Sequence, residues 1–148
     1  MKLRTFTCAA ALAVIAAWPA YADDKNDARA QCIALTNDAI QVEQMPPDQK
    51  PKVEAALVQM CTCMTDKIAG MGDDGTKVLR VLAKTTPEMA KASAADPNGD
   101  RRNAIAVLVA EYGLSEAEAG TIYDRVNPKV MAAGEECQAD MMKALSGQ

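Results

Sequence analysis

The chain has 148 residues, a formal charge of −4 and no histidine. Its length suits one domain, and the missing histidine excludes histidine-based catalysis and histidine metal sites. With one Trp, one Phe and three Tyr it has little means of stacking bases or sugars, and its acidic balance is the reverse of a nucleic-acid-binding footprint.

At the amino terminus, Lys2 and Arg4 precede an apolar run from Cys8 to Trp18. Ala20-Tyr21-Ala22 is a small-x-small cleavage pattern, and Asp23-Asp24 opens a polar chain. These are the three parts of a secretory signal peptide, so residues 1–22 are expected to be removed and 23–148 to form a single helical domain. The apolar run is too short to anchor in a bilayer, and no second run of spanning length follows, so no membrane insertion is expected. Cys8 lies too early, without small residues before it, for lipid attachment. With Lys2 and Arg4 gone, 14 basic residues face 20 acidic ones, a net charge of −6. Phe6, Trp18 and Tyr21 leave as well, so the only aromatic residues remaining are Tyr112 and Tyr123. The expected compartment is the bacterial periplasm, or secretion beyond it.

Alanine is abundant and period-two alternation is scarce, so the fold class is all-α: a small bundle of five to six helices. The first helix is expected from Asn26 to Glu43, with a stripe at Ala28, Cys32, Leu35, Ala39 and Val42, ending before Pro46-Pro47. Asp48 is the expected cap of a second helix reaching Ala69, with Pro51 in its first turn. Gly70 to Gly75 reads as a loop, and a third helix runs from Thr76 to Lys84. Thr86-Pro87 starts a short helix through Ser93. After the Asp96-Pro97-Asn98-Gly99 turn, a helix from Asp100 to Tyr112 is nearly all apolar between Ala104 and Ala110. It is expected to be the most buried helix, closed by a left-handed Gly113. Ser115 to Glu118 is a capping box for a helix through Val126. Asn127-Pro128 then caps a last helix to Leu145, with Pro128 either breaking or kinking the run.

Four cysteines remain after cleavage: Cys32, Cys61, Cys63 and Cys137. An even number in an oxidising compartment reads as two disulfides. Cys61 and Cys63 lie about 200° apart around one helix, so each pairs elsewhere. Folding the first two helices about Pro46-Pro47 reflects residue 32 onto residue 61, which favours Cys32–Cys61 and Cys63–Cys137. A register error of one turn would swap Cys63 into the first pair. The loops close about 30 and 75 residues, ideally worth about 3.5 and 4.5 kcal/mol. The core, lacking Phe and Trp, needs this help.

Met60-Cys61-Thr62-Cys63-Met64 also supports an alternative. Soft thiolate and thioether ligands select Cu(I), so Cys61, Cys63, Met60 and Met64 would suit a copper or thiol-redox carrier. Against it, the methionines sit at core spacing and the cysteines have Asp66, Glu135 and Glu136 nearby rather than cations. Other patterns yield less. Asp96 to Asp100 resembles the start of a calcium loop, but Arg101 and Val107 stand where Gly and Glu are needed. The adjacent acids Asp73-Asp74 and Glu135-Glu136 diverge. Glu111, inside an apolar stretch, either is buried or ends its helix at the surface. Arg101-Arg102 either pairs with acids such as Asp96 and Asp100 or meets an acidic partner. Met131, Met141 and Met142, with Met45 and Met89, either fill the core or line an adaptable groove.

The expectation is an exported protein without catalytic site or cofactor, acting by binding a protein partner. The acidic surface favours a basic one.

Overall fold

A computed structural model describes residues 17–146, with side chains from Asp23 onward. Most of the expected signal peptide, including Lys2, Arg4 and Cys8, lies outside the described residues. The described chain forms α1 (Ala17–Ile40), a 3-10 turn (Val42–Gln44), α2 (Lys50–Ala69), α3 (Asp73–Lys84), α4 (Pro87–Ala94), α5 (Gly99–Tyr112) and α6 (Glu116–Ser146). It contains six α-helices and no strand, the all-α class read from composition.

α2 is the central helix, packed against α1, α3 and α6. α1 runs antiparallel to it about the Pro46-Pro47 turn, joined by Cys32–Cys61 and by Lys25–Asp66 at 2.5 Å. α6 lies on its other flank through Cys63–Cys137 and Lys67–Glu136 at 2.5 Å. Both disulfides span 5.8 Å between Cα atoms, and the pairing is the one favoured by reflection about the prolines. Ala28, Ile68 and Leu79 form a buried cluster from α1, α2 and α3, surrounded by Met71, Val78, Leu82 and Val130.

Several helix boundaries differ from expectation. α1 is already helical at Ala17, where the described residues start, rather than from Asn26, so it runs unbroken through Ala22 and Asp23. Alanine-rich sequence sustains this. The helix stops at Ile40 because Gln41 takes a left-handed conformation, φ 54°. The following 3-10 turn folds Val42 inward, leaving it buried. Burying that side chain offsets the roughly 1–2 kcal/mol of a left-handed residue with a Cβ. Asp48 does not cap α2. Gln49 holds the cap position without a side-chain bond, while the Pro46 carbonyl accepts from the Gln49 and Lys50 amides.

α3 starts three residues early, at Asp73. Asp73 and Asp74 occupy its first turn, where carboxylates suit the helix dipole. Gly75 is buried there, and a Cβ on it would overlap the Ile68 carbonyl, so this glycine lets α3 start directly against the end of α2. Arg125 reaches across from α6 to Asp74 with two bonds of 2.8 and 2.9 Å.

α6 continues through Pro128. Proline inside a helix costs about 3 kcal/mol and removes the donor for the Asp124 carbonyl. Asp124 and Pro128 are both exposed, so water can serve that carbonyl, while Val126, Ala133 and Cys137 are buried on the same helix. α5 is not the most buried helix. Only Gly99, Ala104 and Leu108 are buried, whereas α2 buries Ala56, Leu57, Cys61, Thr65 and Ile68. α5 packs against α3, α4 and α6 on one side, leaving Ala106 and Ala110 exposed. Among the described residues, no helix is long and apolar enough to cross a membrane.

Candidate functional site

The uncovered side of α5 and the first turns of α6 form an open groove of about 960 Å³. The two helices make a hairpin whose connection is locally well specified. Gly113 ends α5 in the left-handed region at φ 64°. Ser115 and Glu118 then form the expected capping box: the Glu118 amide donates to Ser115 Oγ at 3.3 Å, and the Ser115 amide donates to Glu118 Oε2 at 2.9 Å. Ser115 Oγ also donates to Glu118 Oε2 at 2.6 Å, and this bond, with that from the Ser115 amide, holds the Glu118 carboxyl below its ordinary range.

The groove floor comes from Ile105, Ala106 and Val109 on α5 and from Ala117, Gly120 and Thr121 on α6. Its charged wall is Arg101. The Arg101 guanidinium crosses α6 and donates from Nε and Nη2 to the two Asp124 carboxylate oxygens, both at 3.0 Å. It passes close over Gly120: a Cβ there would stand 3.0 Å from Arg101 Nη2, so the guanidinium would have to give by a few tenths of an ångström. The fork-to-fork contact lowers the Asp124 pKa and raises that of Arg101. Arg102 turns back to Asp96, whose carboxyl is lowered by the Asn98 amide and by Arg102. The Arg101-Arg102 pair therefore forms intramolecular bridges, one to the expected Asp96 and one to the distant Asp124. Asn103 donates to the Met89 carbonyl at 3.2 Å and to Ser93 Oγ at 2.8 Å, pinning α4 beneath the end of α5.

The sulfur cluster is arranged differently. Cys61 is fully buried and bonded to Cys32; Cys63 is half-buried and bonded to Cys137. Met60 and Met64 are half-buried, with Met64 directed at Gly134. The two cysteines thus join α2 to different neighbours, and binding a soft metal there would first require both bonds to be reduced. Among the described residues, no group of three or more Cys, Asp or Glu side chains converges as metal ligands would. Met131 and Met142 are exposed and Met45, Met89 and Met141 half-buried, and none of the five lines the α5–α6 groove.

The buried carboxylate is Asp24, not Glu111. Asp24 is 6 % exposed and bonded to Arg80 at 3.0 Å; Glu111 lies 3.7 Å from the same guanidinium on its more open side. Burial raises the Asp24 pKa, Arg80 opposes it, and Asp27, Asp23 and Glu111 add to the rise. Sequence reading took Asp23-Asp24 as the polar start of a chain. The alternation of Asp24, Ala28 and Cys32 at steps of four was the signal that Asp24 shares the inward face.

Comparison with protein-family models, with curated proteins and with solved structures finds no match for this chain.

Proposed function

We propose that the protein is exported to the periplasm through residues 1–22, and that residues 23–148 act as a single, non-catalytic domain binding a protein partner in the α5–α6 groove. The observation that carries this reading is the groove itself: a mainly apolar floor walled by Arg101 and Arg102, each already held by a carboxylate. A concave apolar surface with a polar rim is the usual anatomy of a recognition site. The disulfides support export, because such bonds persist in oxidising compartments.

The test is a photoreactive phenylalanine placed at Ala106 or Thr121 in the groove, and at Lys52 on the exposed face of α2, in an exporting host. The groove positions should give one discrete protein adduct, lost when Ala117→Glu charges the floor, while position 52 gives none. Equal labelling from both faces would reject the groove as the binding surface. Sequencing the exported product tests the leader: the first residue should be Asp23.

A further inference from the structure

We propose that the protein has a ligand site separate from the groove: a cavity inside the seam of α3, α5 and α6 that takes up one small, uncharged, apolar molecule no larger than benzene. It lies on the inner side of the α5–α6 hairpin and does not depend on the groove reading.

The short side chains of this seam create the space. α3 supplies Val78 and Val81, α5 supplies Ala104 and Leu108, and α6 supplies Val126 and Val130 around a cavity of about 100 Å³. Four of these six residues are valines and one is alanine, and from Asp23 onward the chain has no Phe or Trp to reach across such a gap. At the edge of the seam the long Arg125 side chain reaches from α6 to Asp74 on α3, which ties the two helices without closing them together. Protein interiors otherwise hold few voids larger than a water molecule.

The wall decides the occupant. It is almost wholly apolar, and none of its residues is exposed: Ala104, Leu108 and Val126 are buried and the others half-buried. An internal water needs about two to four polar partners. Only Tyr123 and Asn127 bring polar side chains to the wall, and the Tyr123 hydroxyl lies among the charges of Asp100, Arg101 and Asp124. The Asn127 amide alone is too little to hold water there, and a charged ligand would meet no counter-charge. An apolar molecule instead exchanges its hydration for contact with the wall. Apolar cavities of about 150 Å³ stay dry and bind benzene or xenon. At about 100 Å³ this one suits xenon and sets benzene as its upper limit.

Xenon and benzene are the probes, added to the exported, oxidised protein. Methyl NMR should show saturable shifts confined to Val78, Leu108, Val126 and Val130. Saturating benzene should raise the melting temperature, as a ligand of the folded state must. Methylammonium, which is small but charged, should leave these methyls unmoved. Ala104→Leu puts side-chain carbons into the space and should abolish the shifts. Because that insertion can overpack, Val126→Ile adds a single methyl; it should weaken xenon binding and raise the melting temperature. Xenon shifts that do not saturate, or that spread over exposed methyls, would overturn the site. A lowered melting temperature in Val126→Ile, without xenon binding to the parent, would show the seam already closed and overturn it as well. An equal response to methylammonium would overturn the apolar class of the ligand.

Discussion

α2 and α5 are both alanine-containing helices with apolar faces, yet the protein treats them in opposite ways. α2 is covered on several sides, by α1, α3 and α6, and two of its residues are bonded covalently to its neighbours. α5 is covered on one side, carries no disulfide and is fastened by polar contacts, Arg101 to Asp124 and Asn103 to α4. α4 beside it has no buried residue at all. The covalent bonds thus rigidify one region and leave the other to present a surface. Amide exchange should reflect this division: α2 amides should be the last to exchange, and those of α4 and α5 should open earlier. Uniform protection across all the helices would erase the distinction.

The largest expected effect is on the stapled side. Replacing Cys63 and Cys137 together by Ser should lower stability by about 4.5 kcal/mol, and replacing Cys32 and Cys61 by about 3.5 kcal/mol, read from urea midpoints. The reverse order would show that native packing, rather than loop length, governs these bonds. Next come paired cavities. Leu57 on α2 and Leu108 on α5 are equally well buried. Leu→Ala in cores loses about 2–5 kcal/mol, depending on how far the site collapses. Leu57→Ala should fall near the upper end, because disulfides hold its surroundings. Leu108→Ala should fall near the lower end, because α5 is free to settle inward. Equal losses would mean that α5 is as rigid as α2.

The pH dependence separates two carboxylates. The pKa of Asp24 is raised in the folded protein, chiefly by burial. The folded state therefore holds the Asp24 proton more tightly than the unfolded state, and this group's contribution to stability falls as pH rises from the ordinary carboxylate value through the folded one. Asp24→Asn should remove that slope. Asp74, bonded to Arg125, is lowered, so its contribution is present above the ordinary value and is lost as pH falls through the folded value. Urea midpoints of the two Asn variants across acidic pH should diverge in these opposite senses. The smallest effect belongs to the groove: Arg101→Ala breaks an exposed ion pair and should change stability by less than about 1 kcal/mol.

The sequence alone determined much of the local structure. Thr86-Pro87, Gly113 and the Ser115–Glu118 box all act where they were read, because caps depend on a few adjacent residues. Even the disulfide pairing was accessible, since a proline turn between two helices sets their reflection point. The tertiary structure decided the rest. Gly75 could not be recognised as a helical residue until Ile68 was seen against it, and Pro128 could not be placed inside α6 until both of its flanks were seen packed. Above all, the apolar run of α5 resembled a buried helix in sequence, but burial depends on how many neighbours arrive, and here one side received none. That vacant side, with Arg101 lying across it to Asp124, is the groove. Its parts come from residues 101–109 and 116–124 on two helices, and only their packing sets them face to face.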